Sequence, residues 1–156
     1  MQISEILTPN TIRAGLEGED KRTVINAMID LLKGHPSVED LDEVRRVVLE
    51  REELMSTGVG KGLALPHGKT TAVTGNVAVL ALTRNPVDFE AIDDHPVRLI
   101  FLLVGTPEAK SQHVKILSRI SRLMNRDAVR DRMLAARSND DLFRAVVDGE
   151  ASLLEH

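Results

Sequence analysis

Residues 76–83, "NVAVLALT", and 97–104, "VRLIFLLV", are nearly continuous apolar runs rich in branched side chains. A strand with one wet face alternates polar and apolar residues; a strand that does not alternate is covered on both faces. Two such strands close together in the chain confine the fold to a layered α/β arrangement, with helices packed above and below a sheet. Between them, Asn85-Pro86 and residues 93–96 read as turns, and "VDFEAI" at 87–92 reads as a short edge strand.

The covering helices are expected on either side. Residues 20–33 place Val24, Met28 and Leu31 on one face, with Ile25, Ile29 and Leu32 beside them, and Gly34 and Pro36 stop the pattern. A second helix is expected after Ser37, whose hydroxyl is placed to cap it; its stripe is Leu41, Val44 and Val48. After Gly105-Thr106-Pro107 a long helix is expected to run to about Asn125, started either by Thr106 with Pro107 or by Ser111. Its face is Val114, Leu117, Ile120, Leu123 and Met124. Residues 127–137 form a further amphipathic helix, and Ser138 with Asp141 resembles a capping box for a last one ending at Gly149. No repeat, low-complexity tract or linker interrupts the chain. The expectation is therefore α/β: a single-domain three-layer sandwich, a mixed β-sheet with helices on both faces. The domain is assigned to 1–153, and 154–156 is set aside as a tag remnant or disordered end.

Composition removes several functions. The 156 residues are 42% hydrophobic, enough for one domain that buries roughly 70% of its unfolded surface. There is no cysteine, which excludes a disulfide scaffold, a Cys-based zinc site and a cysteine nucleophile. The net charge is −4 and the only aromatics are Phe89, Phe101 and Phe143. Nucleic acid, which wants a basic face or stacking rings, is not expected as a partner. Residues 1–7 lack the basic start of a signal peptide, and no apolar run is long enough to span a bilayer. These features predict a cytoplasmic protein without direct membrane insertion.

Chemistry concentrates in "STGVGKGLALPHGKTT", residues 56–71, with four glycines. Gly68-Lys69-Thr70 matches the end of a Walker-type loop, but the first glycine would have to stand at Leu63. Gly58 and Gly60 match the start of a dinucleotide fingerprint, but its third position is again Leu63. Both motifs need a strand before and a helix after, whereas here a helix precedes and Leu63-Ala64-Leu65 reads as extended chain. Gly58, Gly60 and Gly62 beside Ser56 and Thr57 suit an anion nest better than a plain surface turn, because glycines let successive N–H groups face one way.

His67 is the group there able to form a phosphoimidazole, since a neutral ring is a good nucleophile. A lone loop histidine is ordinarily only solvated, but two residues give this one company. Arg51 continues the stripe of Leu41, Val44 and Val48, so its guanidinium needs an anion, unless its stem merely lines the core edge. His113 shares the inward face of Ile116 and Leu117. Near a helix start its ring would be held neutral and could donate to a phosphate; its commoner fate is a core-edge histidine satisfied by backbone. His35 and His95 sit in Gly-His-Pro and Asp-His-Pro turns. Zinc on His67, His95 and His113 lacks a close ligand pair and is a poor fit.

"E-x6-V-G-x2-L-A-L-P-H-G", from Glu52 to Gly68, resembles the active-site signature of enzyme IIA of the fructose–mannitol class, a component of the bacterial phosphoenolpyruvate-dependent sugar phosphotransferase system. The nitrogen-regulatory enzyme IIA belongs to the same class. "FEAIDDHPVRLIFLLVGTP" and "HVKILSRISRLM" extend the resemblance over nearly the whole chain. It implies a mixed sheet between helices, phosphorylation on His67, and supporting roles for His113 and Arg51. It also implies that Ser56, Thr57 and Gly58, in the loop that frames the site, bind the phosphoryl group. It further implies an HPr-type phosphocarrier as donor and a cysteine on an enzyme IIB as acceptor, with no cofactor and no metal. The alternative is a nitrogen-type regulator whose phosphorylation state controls its binding to other proteins; a chain without fused transporter domains and the motif "FEAIDDHPV" lean that way. A non-covalent nucleotide-binding module and a metal-dependent hydrolase are the readings from other classes.

Overall fold

The computed structural model describes residues 2–154. Strand β1 spans Ile12–Leu16, and helices α1 and α2 span Lys21–Asp30 and Leu41–Leu54. Three short strands follow: β2 (Gly58–Gly60), β3 (Leu63–Ala64) and β4 (His67–Lys69). The long strands β5 (Val77–Val87) and β6 (Val97–Gly105) precede α3 (Lys110–Met124), α4 (Asp127–Leu134) and α5 (Asn139–Leu154). Residues 155 and 156, from the end set aside above, lie outside the described residues; Leu154 closes α5.

The two apolar runs form the centre of the sheet. β5 and β6 pair antiparallel, β1 adds parallel to β5, and the other edge of β6 carries β3 and then β4, both parallel, with β2 beyond β3. The lack of alternation predicted two covered faces, and the two cores confirm it. Ala78, Leu80, Leu82, Leu99, Phe101 and Leu103 point into one core, against α3, α4 and α5. Their neighbours Val77, Val79, Ala81, Ile100, Leu102 and Val104 point into the other, against α1 and α2. The period of two thus divides one sheet between two helical layers.

Several local expectations needed correction. β1 was not foreseen. β5 runs on through Asn85-Pro86, which a register shift between Leu82 and Val87 accommodates, and there is no strand over 88–92; Phe89 turns fully into the core instead. Helix α2 is capped by Asp40, whose carboxylate accepts from Glu43 N at 3.2 Å, not by Ser37. Ser37 serves through its backbone: its N–H donates to His35 Nδ1 and its carbonyl accepts from Thr74 N. Neither Thr106 nor Ser111 caps α3, which grows out of a 3-10 turn at Pro107–Ala109 without a side-chain cap. On α3 the buried face is His113, Ile116, Ile120, Leu123 and Met124, and Val114 is 58% exposed. Helix α5 does not stop at Gly149; a methyl there would fall 2.8 Å from Leu123 Cδ1, so the glycine lets α5 approach α3. Ser138 Oγ does accept from Asp141 N at 3.0 Å, as the capping pattern predicts.

Asp40→Ala is expected to lower stability to urea by about 1 kcal/mol, the usual cost of a lost N-cap. Ser37→Ala should stay within about 0.5 kcal/mol.

Candidate active site

His67 opens β4, where chain geometry leaves little freedom. β3 and β4 are two pieces of one line along β6, broken at Leu65-Pro66 because proline has no N–H for the ladder. The ladder resumes at once: Leu103 N donates to the Pro66 carbonyl at 3.0 Å, and His67 pairs with Leu103. The His67 ring folds back so that Nδ1 lies 2.8 Å from the Leu65 carbonyl. A carbonyl only accepts, so Nδ1 carries the proton and Nε2 keeps a lone pair.

Helix α3 brings the second ring. His113 is 2% exposed, its centroid 5.9 Å from that of His67 with the planes tilted by 51°. Neither of its nitrogens has a hydrogen-bond partner. A buried polar group without a partner is costly, which points to a ligand rather than to a satisfied core histidine. Arg51, in the last turn of α2, donates from Nη1 to the Met55 carbonyl at 3.0 Å, and its charge is felt at His67.

Burial pushes the His67 imidazole below 6.5, and the charges of Arg51 and Lys69 act the same way, against the Leu65 hydrogen bond and the charge of Glu52. His113 is pushed down to about 4 by burial, then by His67 and Lys69. Both rings are therefore mainly neutral at pH 7.

The loop residues have prior engagements. Ser56 Oγ donates to the Phe89 carbonyl and accepts from Gly58 N at 3.0 Å. Thr57 is buried, its N–H donating to Glu52 Oε2 at 2.8 Å and its hydroxyl to Glu52 Oε1. Gly58 is needed for closeness, since a methyl would sit 2.8 Å from Ala91 Cβ and 2.9 Å from its Cα. Gly60 and Gly62 take φ of +98° and +77° to turn β2 into β3, and Lys61 N donates to Asp93. The glycine run is therefore a hairpin turn, and the nest expected of it is not formed: the N–H groups of Gly58 and Lys61 are taken within the protein. His35 and His95 stay in their turns, and no group of three or more metal-ligating side chains occurs among the described residues.

Two participants went unassigned in the sequence. Lys69, two residues on from His67 in β4, adds positive charge at both rings. Glu52, 4% exposed, holds Thr57 twice and pairs with Lys21 at 3.3 Å. Thr57 in turn accepts from Leu65 N at 3.0 Å, and Leu65 holds His67. Glu52 thus orients the His67 ring through three links. It opens the quoted signature, but a glutamate on a charged helix looks solvated until its partners are known.

A family model, "Phosphoenolpyruvate-dependent sugar phosphotransferase system, EIIA 2", matches residues 5–148. The chain belongs to this family of phosphotransferase components. It is similar to the fructose-specific EIIABC component of Bacillus subtilis, 34% identical over 143 residues that make 92% of this chain and 22% of that protein. The chain therefore spans about a fifth of that relative's length. It also resembles the crystal structure of the nitrogen regulatory protein IIA-Ntr from Neisseria meningitidis, with a TM-score of 0.86 and 30% identity, covering 92% of this chain and 98% of that one. The same fold occurs in the complex of the mannitol enzyme IIA with phosphorylated enzyme IIB from Escherichia coli (TM-score 0.76, 21% identity, 91% and 97% covered). Among the described residues no helix is long and apolar enough to cross a membrane.

The depressed His113 value sets a pH dependence. Below 6.5 the unfolded chain binds a proton on this ring that the folded chain refuses until about pH 4. The contribution to stability is whole above 6.5 and is lost as pH falls, by about 3 kcal/mol in total at about 1.4 kcal/mol for each tenfold change in proton affinity. His113→Leu removes this titration. Relative to the variant, the wild type should lose about that much unfolding free energy between pH 7 and pH 4 in urea titrations.

Proposed function

We propose that this protein is a phosphoryl carrier in which His67 Nε2 accepts the group from the phosphohistidine of an HPr-type donor. The N–P bond of the donor breaks as the bond to Nε2 forms, and the donor nitrogen regains its lone pair. Delivery reverses the process: the Nε2–P bond breaks as a cysteine thiolate of an enzyme IIB forms an S–P bond. The observation that carries this reading is the pairing of a half-buried His67, its Nδ1 tied to Leu65, with a buried, unpartnered His113 only 5.9 Å away.

Each neighbour has a place in the transfer. His113 donates a hydrogen bond to the phosphoryl oxygens, and Arg51 exchanges its hold on Met55 for the incoming negative charge. The protein contributes positioning and charge stabilisation to a group transfer that needs little else. The loop of Ser56, Thr57 and Gly58 acts as a frame that keeps Leu65, and hence His67, in position. Met55, Val59 and Ile92, exposed beside that loop, offer visiting proteins apolar surface to cover. The work belongs in the cytoplasm, where donor and acceptors meet.

A second reading is regulatory: the same phosphorylation, read out as binding to other proteins. The likeness to the Neisseria regulatory protein along nearly its whole length favours it. Phosphoryl transfer to a panel of IIB domains separates the two, since a pure regulator serves none.

Incubation with phosphoenolpyruvate, enzyme I and HPr should give one acid-labile, alkali-stable adduct, and His67→Ala should give none. Phosphorylation of the alanine variant would reject the carrier reading. His113→Ala and Arg51→Ala should keep the fold and slow acceptance by about 10²-fold each, the usual cost of losing one preorganised donor. Because His67 is held below 6.5, the acceptance rate should be flat above that pH and fall only beneath it, as measured by quenched-flow phosphorylation.

A further inference from the structure

Lys21 is the first residue of α1, where the positive end of a helix disfavours a cation. Asp20 already caps that end, its carboxylate accepting from Thr23 N at 2.8 Å. The lysine does little for its own helix, and its contacts lie elsewhere. Nζ stands 3.3 Å from Glu52 Oε2, 3.8 Å from Glu90 Oε1 and 5.9 Å from the centre of the Phe89 ring.

These contacts are unequal. The Glu90 side chain is 79% exposed, and the Phe89 ring is at the outer range of a cation–π contact, about 6 Å. An exposed ion pair is worth little. The pair with Glu52 is different, since the side chains of Lys21 and Glu52 are 21% and 3% exposed. A carboxylate that deep needs its cation, and removing the cation leaves an uncompensated buried charge.

From Glu52 the chain of contacts is continuous. The carboxylate accepts from the N–H and the hydroxyl of Thr57. The Thr57 carbonyl accepts from Leu65 N at 3.0 Å, and the Leu65 carbonyl holds His67 Nδ1 at 2.8 Å. An ammonium at the start of α1 therefore steadies a ring that opens β4.

We propose that Lys21 is a positioning residue for His67, acting through Glu52 to keep Nδ1–H on the Leu65 carbonyl and so leave Nε2 bare. Without Lys21, Glu52 turns to solvent or takes up a proton, and either change weakens its hold on Thr57. A ring released from Leu65 shares its proton between both nitrogens. Nothing in the sequence marks Lys21, which stands in a run of charges at 17–22. The proposal rests on the carrier reading for the use of Nε2, but not for the orientation of the ring.

The test reads the ring first. Protein labelled with 15N-histidine is examined unphosphorylated at pH 7 by long-range 1H–15N correlation. Wild type and Lys21→Arg should show His67 with Nδ1–H and a bare Nε2; in Lys21→Met both nitrogens should share the proton. With phospho-HPr as donor, Lys21→Met should slow acceptance by about tenfold or more in kcat with KM unchanged, and Lys21→Arg should restore it. An Nδ1–H ring in Lys21→Met, or a shared proton in Lys21→Arg, overturns the proposal. In Glu52→Gln no buried carboxylate needs a cation, so adding Lys21→Met should move neither ring nor rate further. A further shift overturns the route through Glu52, and this comparison decides even where Lys21→Met alone fails to fold. A failed phosphorylation of wild-type His67 would reject the carrier reading and leave the ring populations standing.

Discussion

The three residue pairs between β4 and the far end of β6, His67 with Leu103, Gly68 with Val104 and Lys69 with Gly105, hold the chemistry of this protein in place. β6 is buried along its length and contributes alternate side chains to two separate cores. A slip of one residue would exchange those two sets of side chains, so its register is strongly specified. Whatever pairs with β6 inherits that rigidity. The same strand then leads through a short turn into α3, which returns His113 to the ring of His67. The two histidine rings are thus both placed by β6 and the short connection that follows it.

Buried polar groups in this site are treated in two ways. Glu52 is fully employed by Thr57 and Lys21, and removing its partners would leave a buried charge uncompensated. It gives local order: a loop rich in glycine stays where Leu65 can orient His67. His113 is kept under-employed, its neutral ring deep against β6 and its hydrogen-bonding capacity unspent. Stability is sacrificed at that position, as is common where a site must be ready for a ligand.

The central architecture was legible because β5 and β6 are long and unmixed, and a fully apolar run admits few environments. β1 was not legible. Its five residues, Ile-Arg-Ala-Gly-Leu, include an arginine and a glycine, and only pairing with β5 makes them a strand. The nest was inferred from composition, which cannot reveal that Asp93, some thirty residues on, claims the N–H of Lys61. His113 could be picked out because helical spacing puts it on an inward face. Glu52 could not, since its partners lie outside its own helix. Local pattern reports burial well and hydrogen-bond partnership poorly.

The charge of the site runs against that of the molecule. The chain carries −4 overall, while Arg51 and Lys69 put positive charge beside two neutral rings. Net charge therefore says little about which anion a protein attracts; the local field decides. A carrier also has to release what it accepts. A charged imidazolium buried at position 113 would bind a dianionic phosphoryl group tightly and resist its departure. On the proposed carrier reading a neutral ring supplies one directed hydrogen bond and no net charge, leaving the attraction to the half-buried Arg51 and the exposed Lys69. On that reading, burial of His113, which costs the fold stability in acid, is what would keep the binding weak enough for the group to move on.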